Sequence, residues 1–445
     1  MVAFLKRISF FIALAGMLIT TSCFAQSATV SPYSRYGIGD LQSQNGVQSF
    51  SMGNTGIAWH NDTLTPYFIN LKNPASYFYN RITTFEAGLL NSDVRFVTEG
   101  TSNFNKNTYF AYFAIAFPIG KHFGGSFGLR PMSSVGYNLN TNGTIDSSGT
   151  SLGTTTNQYV GSGGINQLHF GLAYSPFKNL SIGANLSYMF GYLNYTQNII
   201  YPFNISAYNS QVVENINIHG FSSDYGLMYT LGRSRDSAWQ VILGATYSFG
   251  GSLFADYNLL SLSYLLGSPQ TNIDTIQDSS AKGKLNLPMS FGGGLTIIKR
   301  DKDNNNQWMF SVDYAFQKWS QYSILGATQN LNDSWQGNFG IQYIPGKSSA
   351  NFFKRIHYRW GFSVNQTYLD LNNTPIRDYC VSLGVGIPIG PPFAPPMNTQ
   401  LGVLNIGIQL GQLGTSNNDL LKEEYAKFLV AFTFNSKWFQ KHLYQ

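Results

Sequence analysis

The sequence predicts an all-β fold: a transmembrane antiparallel β-barrel of about fourteen strands with an amino-terminal hatch or plug segment. Three observations carry this reading. First, apolar and small polar residues alternate with a period of two, the mark of a strand with unlike faces. In 180–190, Leu180, Ile182, Ala184, Leu186, Tyr188 and Phe190 alternate with Ser181, Gly183, Asn185 and Ser187; 241–250 repeats the pattern. Second, charged residues make up only 11% of the chain. A soluble sandwich would carry charge opposite its core, whereas small uncharged residues there suit lipid outside and water inside. Third, the links between alternating segments are short and long in turn, the asymmetry of periplasmic turns and external loops.

Residues 1–25 read as a secretory signal peptide. Lys6 and Arg7 supply the basic start, 8–21 the apolar core, and Cys23-Phe24-Ala25 a small-x-small cleavage site before Gln26. That core is too short for a membrane span, and no later segment has the roughly 18 apolar residues that a spanning helix needs. Acylation of Cys23 is the competing reading, against which Thr20, Thr21 and Ser22 make a poor approach. After cleavage only Cys380 remains, so there is no disulfide framework and no cysteine metal site. An exported chain without helical spans points to the outer membrane of a Gram-negative bacterium.

Residues 26–80 alternate poorly and are rich in Gly, Asn and Ser; they are expected to fold into the lumen as a plug, with a periplasmic tail as the alternative. Residues 81–445 form the barrel. Its segments begin with 82–96, 106–119 and 122–139 and end with 400–412 and 422–437, and twelve or sixteen strands stay open as alternatives. Tyr109 to Phe117 (YFAYFAIAF) places Phe113 and its neighbours at every second position on the lipid face. Tight links are expected at 119–121, 175–178, 232–236 and 299–303, and longer loops near 140–162, 198–210 and 259–281. The proline-stiffened link at 390–396 is long where a short turn is expected. In hydrocarbon every backbone N–H and C=O needs a partner within the protein, so the sheet must close.

Two motifs precede the first strand: Gly53-Asn54-Thr55-Gly56-Ile57-Ala58 and Asn73-Pro74-Ala75. With them the chain resembles the FadL/TodX-type family of outer-membrane transporters for hydrophobic compounds. The resemblance covers the whole chain in layout and 51–76 in motif, and 31–41 and 422–441 resemble the branch found in Bacteroidota. It implies a fourteen-stranded barrel with a hatch carrying Gly53, Asn54, Gly56, Asn73, Pro74 and Ala75. It also implies passage of a fatty-acid-like molecule past the hatch and sideways through the third strand. Pro131, after Gly124, Gly125 and Gly128, is the candidate lateral outlet, since proline cannot donate to a ladder. An ordinary strand-end bulge is the competing reading. No ligand-contacting residue of the family is matched.

By alternation Arg130, Asp313, His357 and Arg359 face the lumen, as ionisable groups at membrane depth must. They read as polar lining or anchors for a hatch, against a plain solvated network, and Cys380 reads as a small inward filler. No nucleophile elbow and no H-E-x-x-H appears, so no enzyme activity, no catalytic or metal residues and no cofactor are expected. The formal charge of +6, about +4 without Lys6 and Arg7, is too weak and scattered for nucleic acid. Expected partners are outer-membrane lipid and a hydrophobic small molecule. The alternative function is a barrel subunit in an outer-membrane secretion or barrel-assembly machine, with other outer-membrane proteins as partners. An open porin is the third reading.

Overall fold

The computed structural model describes residues 28–436, apart from 43–44, 62–67, 99–100, 148–149, 178, 203–206, 233–237, 266–270, 301–305, 347–348, 350, 390–401 and 419. The leader at 1–25, most of the link at 232–236 and all of the link at 390–396 lie outside the described residues. The rest is a closed antiparallel barrel of 14 strands. They are β1 (Thr83–Thr98), β2 (Thr101–Ile119), β3 (Phe123–Ser147), β4 (Thr150–Phe177), β5 (Leu180–Ile200) and β6 (Asn209–Leu231). Then follow β7 (Trp239–Ser248 and Gly251–Leu265), β8 (Thr271–Leu287 and Ser290–Arg300), β9 (Asn306–Gln317) and β10 (Ser334–Tyr343). Last come β11 (His357–Leu371), β12 (Thr374–Ile389), β13 (Gly402–Gly414) and β14 (Lys422–Ser436). Each strand pairs with the next, and β14 pairs with β1 from Lys422↔Val97 to Ser436↔Thr83, which closes the sheet. Such closure leaves no exposed edge for lipid to meet.

Side chains follow the predicted two-faced pattern. In β12, Tyr379, Val381 and Leu383 are exposed while Cys380 and Ser382 are buried. Cys380 is a free thiol packed beside Val94 and Tyr425. The aromatic and aliphatic face therefore meets lipid, and the small polar face meets the lumen.

Three sequence expectations need correction. The stretches 140–162 and 259–281 are not loops. β3 and β4 run on as a paired hairpin to Ser147 and Thr150, and the β7–β8 ladder extends to Leu265↔Thr271. Polar residues there still pair as strands, because outside the membrane a ladder no longer needs an apolar face. The alternation in Tyr109–Phe117 also breaks. A register shift opposite Gly88/Leu89 leaves Ala111 unpaired with β1, a bulge that turns one side of the strand over. Phe110 is exposed while Tyr112 is buried, and Tyr109 and Ala111 pack inward instead of facing lipid.

The core of the molecule lies inside the barrel. One cluster joins Tyr33 and Ile38 of the amino-terminal stretch to Val135, Ile165, Leu193, Trp319 and Tyr368. Trp319 and Tyr322 enter it from a short insertion after β9, where Ser323–Ile324 pairs with Leu285–Asn286 of β8. A second cluster joins Val47, Phe50, Ile69, Ala75 and Tyr77 to Tyr112, Ala114, Ala173, Met228 and Leu429.

Candidate functional site

The candidate site is the inner segment, residues 28–80, together with the wall that receives it. Its local structure follows from its motifs. Asn73 caps the 3-10 helix Pro74–Tyr79: its side chain accepts from Ala75 N at 3.0 Å, and Pro74 occupies the first turn, where no N–H is needed. The same Asn73 side chain donates to the Ile57 carbonyl at 2.7 Å, tying the two motifs together. Gly53 and Asn54 follow the one-turn helix Val47–Phe50 and both have φ of 62°, the left-handed pair that reverses the chain there.

The wall is built to receive this backbone. A Cβ on Gly124 would overlap the Tyr77 carbonyl, one on Gly226 would overlap Asn73 Oδ1, and one on Gly361 would overlap Gly53 N. Equivalent close approaches occur on every strand from β3 to β8 and again from β10 to β13. These glycines form a collar: at Gly124, Gly183, Gly244, Gly340 and Gly361 the strand meets the segment's backbone, and at Gly171, Gly226, Gly384 and Gly407 its side chains. β9 is the exception and supplies Asp313 instead. Its Oδ2 accepts from Gly56 N at 2.7 Å, Ile57 N at 2.9 Å and Lys72 Nζ at 3.3 Å.

The four predicted lumen residues are all buried. Arg130 donates to Gln167 Oε1 at 3.2 Å and lies 3.5 Å from the Leu71 carbonyl. Arg359 donates to Gln342 at 2.8 Å and Asn405 at 2.9 Å, with His357 Nδ1 at 3.3 Å. Asn405 continues to Thr433 at 3.1 Å, and Thr433 to Glu86 at 3.3 Å. Glu86 was missed in the sequence. It accepts from Gln48 Nε2 at 3.3 Å and from the Tyr112 hydroxyl, while Val47 N donates to that hydroxyl at 3.0 Å. An acid at an inward position of β1 was its available signal. Ser382, which accepts from Gly53 N at 2.8 Å, and Gln409, which donates to the Phe50 carbonyl at 2.9 Å, carried no such signal.

The wall is interrupted beside Pro131. The β2–β3 ladder has seven rungs, from Ile119↔Phe123 to Phe113↔Leu129. Among the described residues no strand pairs with β2 on that side from Thr101 to Tyr112. Pro131, one residue past Arg130, marks a register shift on the β4 side as well. The freed edge of β3 is met by the inner segment: Asp40↔Ser134 and Leu41↔Ser133 pair, and Gln42 N donates to the Met132 carbonyl at 3.0 Å. From β2, the Tyr109 hydroxyl donates to Gln42 Oε1 at 2.7 Å. Further along, Ser31 Oγ donates to Glu423 at 2.5 Å. Burial, with Glu423's charge adding to it, pushes the Tyr33 hydroxyl up to about 12, so it stays a neutral donor to the Leu421 carbonyl.

Behind this stretch lies a cavity of about 400 Å³. Its lining mixes Leu41, Met132, Trp319 and Tyr368 with Asp40, Arg130, Asp378, Glu423 and Lys427. Such a site suits a molecule with both an apolar body and a polar end.

A family model described as BamG matches residues 4–445. No curated protein matches the chain. Among solved structures, a FadL homologue from Pseudomonas aeruginosa is similar at 13% identity and a TM-score of 0.55, over 89% of this chain and 99% of that one. The toluene transporter TbuX of Ralstonia pickettii has 16% identity and a TM-score of 0.53, over 88% and 98%. The toluene transporter TodX of Pseudomonas putida has 15% identity and a TM-score of 0.53, over 91% and 100%. At these identities the likeness is one of fold.

Proposed function

This chain belongs to the BamG family, and on that premise we propose that it is an outer-membrane barrel admitting amphipathic or hydrophobic small molecules, fatty-acid-like in build. The cargo occupies the internal cavity and leaves sideways between β2 and β3, past Pro131. The observation that carries this reading is the cavity's position beyond the end of the seven-rung ladder, where Asn107, Tyr109, Arg130 and Met132 of the parted strands line it. The inner segment acts as the hatch, its 28–42 stretch covering the outlet and its glycine and Asn-Pro-Ala motifs holding it in the lumen. Arg130 stands at the cavity wall to meet a polar end of the cargo. The fold shared with toluene transporters is compatible with this path. The reading requires no catalytic step and no cofactor, and a lumen filled at the collar speaks against an open porin.

A second reading is favoured by the collar itself. A barrel whose inner segment is wedged backbone to backbone is suited to serve as a rigid subunit of a larger envelope assembly. Native purification in mild detergent, with mass spectrometry of both retained lipids and co-purifying proteins, separates the two. Retained fatty-acid-like ligand, lost in Arg130→Ala, supports uptake. Stoichiometric envelope proteins with an empty cavity support the second reading. If the reconstituted barrel conducts ions freely and holds neither, both are wrong.

A further inference from the structure

On the lipid face of β4 to β9, three outward residues, Ala184, Ala245 and Gly293, are small among large apolar neighbours. Two neighbouring rows cross β4 to β9. The upper row pairs Leu172 with Ala184 and continues through Tyr225, Tyr247, Phe291 and Phe316. The lower row runs from Tyr174 and Ile182 through Leu227 to Ala245, Gly293 and Tyr314. Between them lies a groove of about 830 Å³ with no charged residue in its lining. A Cβ built on Gly293 would meet nothing within 4 Å, and its backbone is not in the left-handed region, so nothing in the fold requires glycine there. On the inner face Gly292 and Gly294 are accounted for by Ile57 and Ala58, but Gly293 points outward.

We propose that this groove is a binding site for one acyl chain of a phospholipid in the periplasmic leaflet. Its dimensions argue for that occupant. Five strand-to-strand steps of about 4.8 Å make it ~24 Å long. Strands tilted about 45° incline it equally, so it rises ~17 Å, close to half of a hydrocarbon core of about 30 Å. It also starts at the right place. Tyr174 and Ile182 lie next to the tight β4–β5 turn, whereas Gly293 and Tyr314 lie deeper along their strands. A chain anchored at the periplasmic surface would thus enter beside Tyr174 and end near Gly293 at mid-membrane. Aromatic rings on the upper row, with Tyr247 and Phe291 centroids 5.0 Å apart, bound the groove above. The groove and the cargo cavity share Tyr225, Thr246, Tyr247 and Phe291 in their linings, but the small outward residues Ala184, Ala245 and Gly293 line the groove alone.

The test uses the full barrel in vesicles of phosphatidylethanolamine and phosphatidylglycerol carrying a trace of a diazirine-tailed phosphatidylethanolamine. After illumination, labelling at Leu227, Ala245 and Tyr314 should exceed that at Phe339, an exposed lipid-face residue of β10, several-fold. Gly293→Leu, and separately Ala245→Leu, should each remove that excess while the thermal midpoint holds. Equal labelling at Phe339 and Ala245 overturns the proposal, leaving only a fluid lipid annulus. So does a co-purifying protein whose peptides cross-link into the groove in place of lipid.

Discussion

The inner segment meets the wall in two different ways. Around 47–58 and 73–79 its backbone lies directly on glycines, with Asp313, Ser382 and Gln409 bonding to peptide groups. Along 28–42 it pairs with β3 over two residues, takes side-chain bonds such as Tyr109 to Gln42, and buries Tyr33 and Ile38 in the core. The first contact has no slack, because neither backbone can yield to an added methyl group. The second has side-chain bonds that can be lost one at a time, each neutral hydrogen bond contributing only about 1 kcal/mol net, while Tyr33 and Ile38 stay in the core. The base of the segment is thus fixed against the wall by its backbone, whereas the stretch at the gap relies on two buried side chains and a few hydrogen bonds.

Breaking the collar should have the largest effect. Gly361→Val places a side chain on the Gly53 and Met52 backbone and should cost about 3 kcal/mol or more. Limited proteolysis should then cut within 47–58, which stays intact in the parent. The outward control Gly337→Val, with open space at its Cβ, should resist as the parent does. Next comes Asp313→Ala, which removes the acceptor of two buried N–H groups and the ion pair of Lys72, for about 2–3 kcal/mol in denaturant unfolding. An unchanged midpoint would mean that β9 does not anchor the segment. Tyr112→Phe removes the hydroxyl shared by Val47 N and Glu86 and should cost about 1–2 kcal/mol. The smallest global effect is expected from Gln42→Ala. It should speed hydrogen exchange in 28–42 while leaving 47–58 and the unfolding midpoint within about 0.5 kcal/mol of the parent. Equal acceleration in both stretches would erase the distinction between them.

Much of this was legible in period-two patterning. The inward placement of Arg130, Asp313, His357 and Arg359 followed from alternation alone, because a charge cannot sit on the lipid face of a strand. The capping role of Asn73 before Pro74 is likewise local. The collar was not legible: alternation places Gly226 inward and Gly337 outward, but no pattern says that Gly226 meets Asn73 and Pro74. The Ala111 bulge was hidden for a similar reason, since Tyr, Phe and Ala suit either face of the wall. Glu86 could have been found by the same alternation that found Asp313.

By itself the sequence determined the barrel and most of its lipid face, with about fourteen strands expected and twelve or sixteen left open, since alternation and closure are dictated locally by the backbone's need for partners in hydrocarbon. Only the tertiary structure decided where the β2–β3 ladder stops and which glycines bear the inner segment. Those contacts join residues hundreds of positions apart, such as Gly53 and Ser382, and no local preference records them.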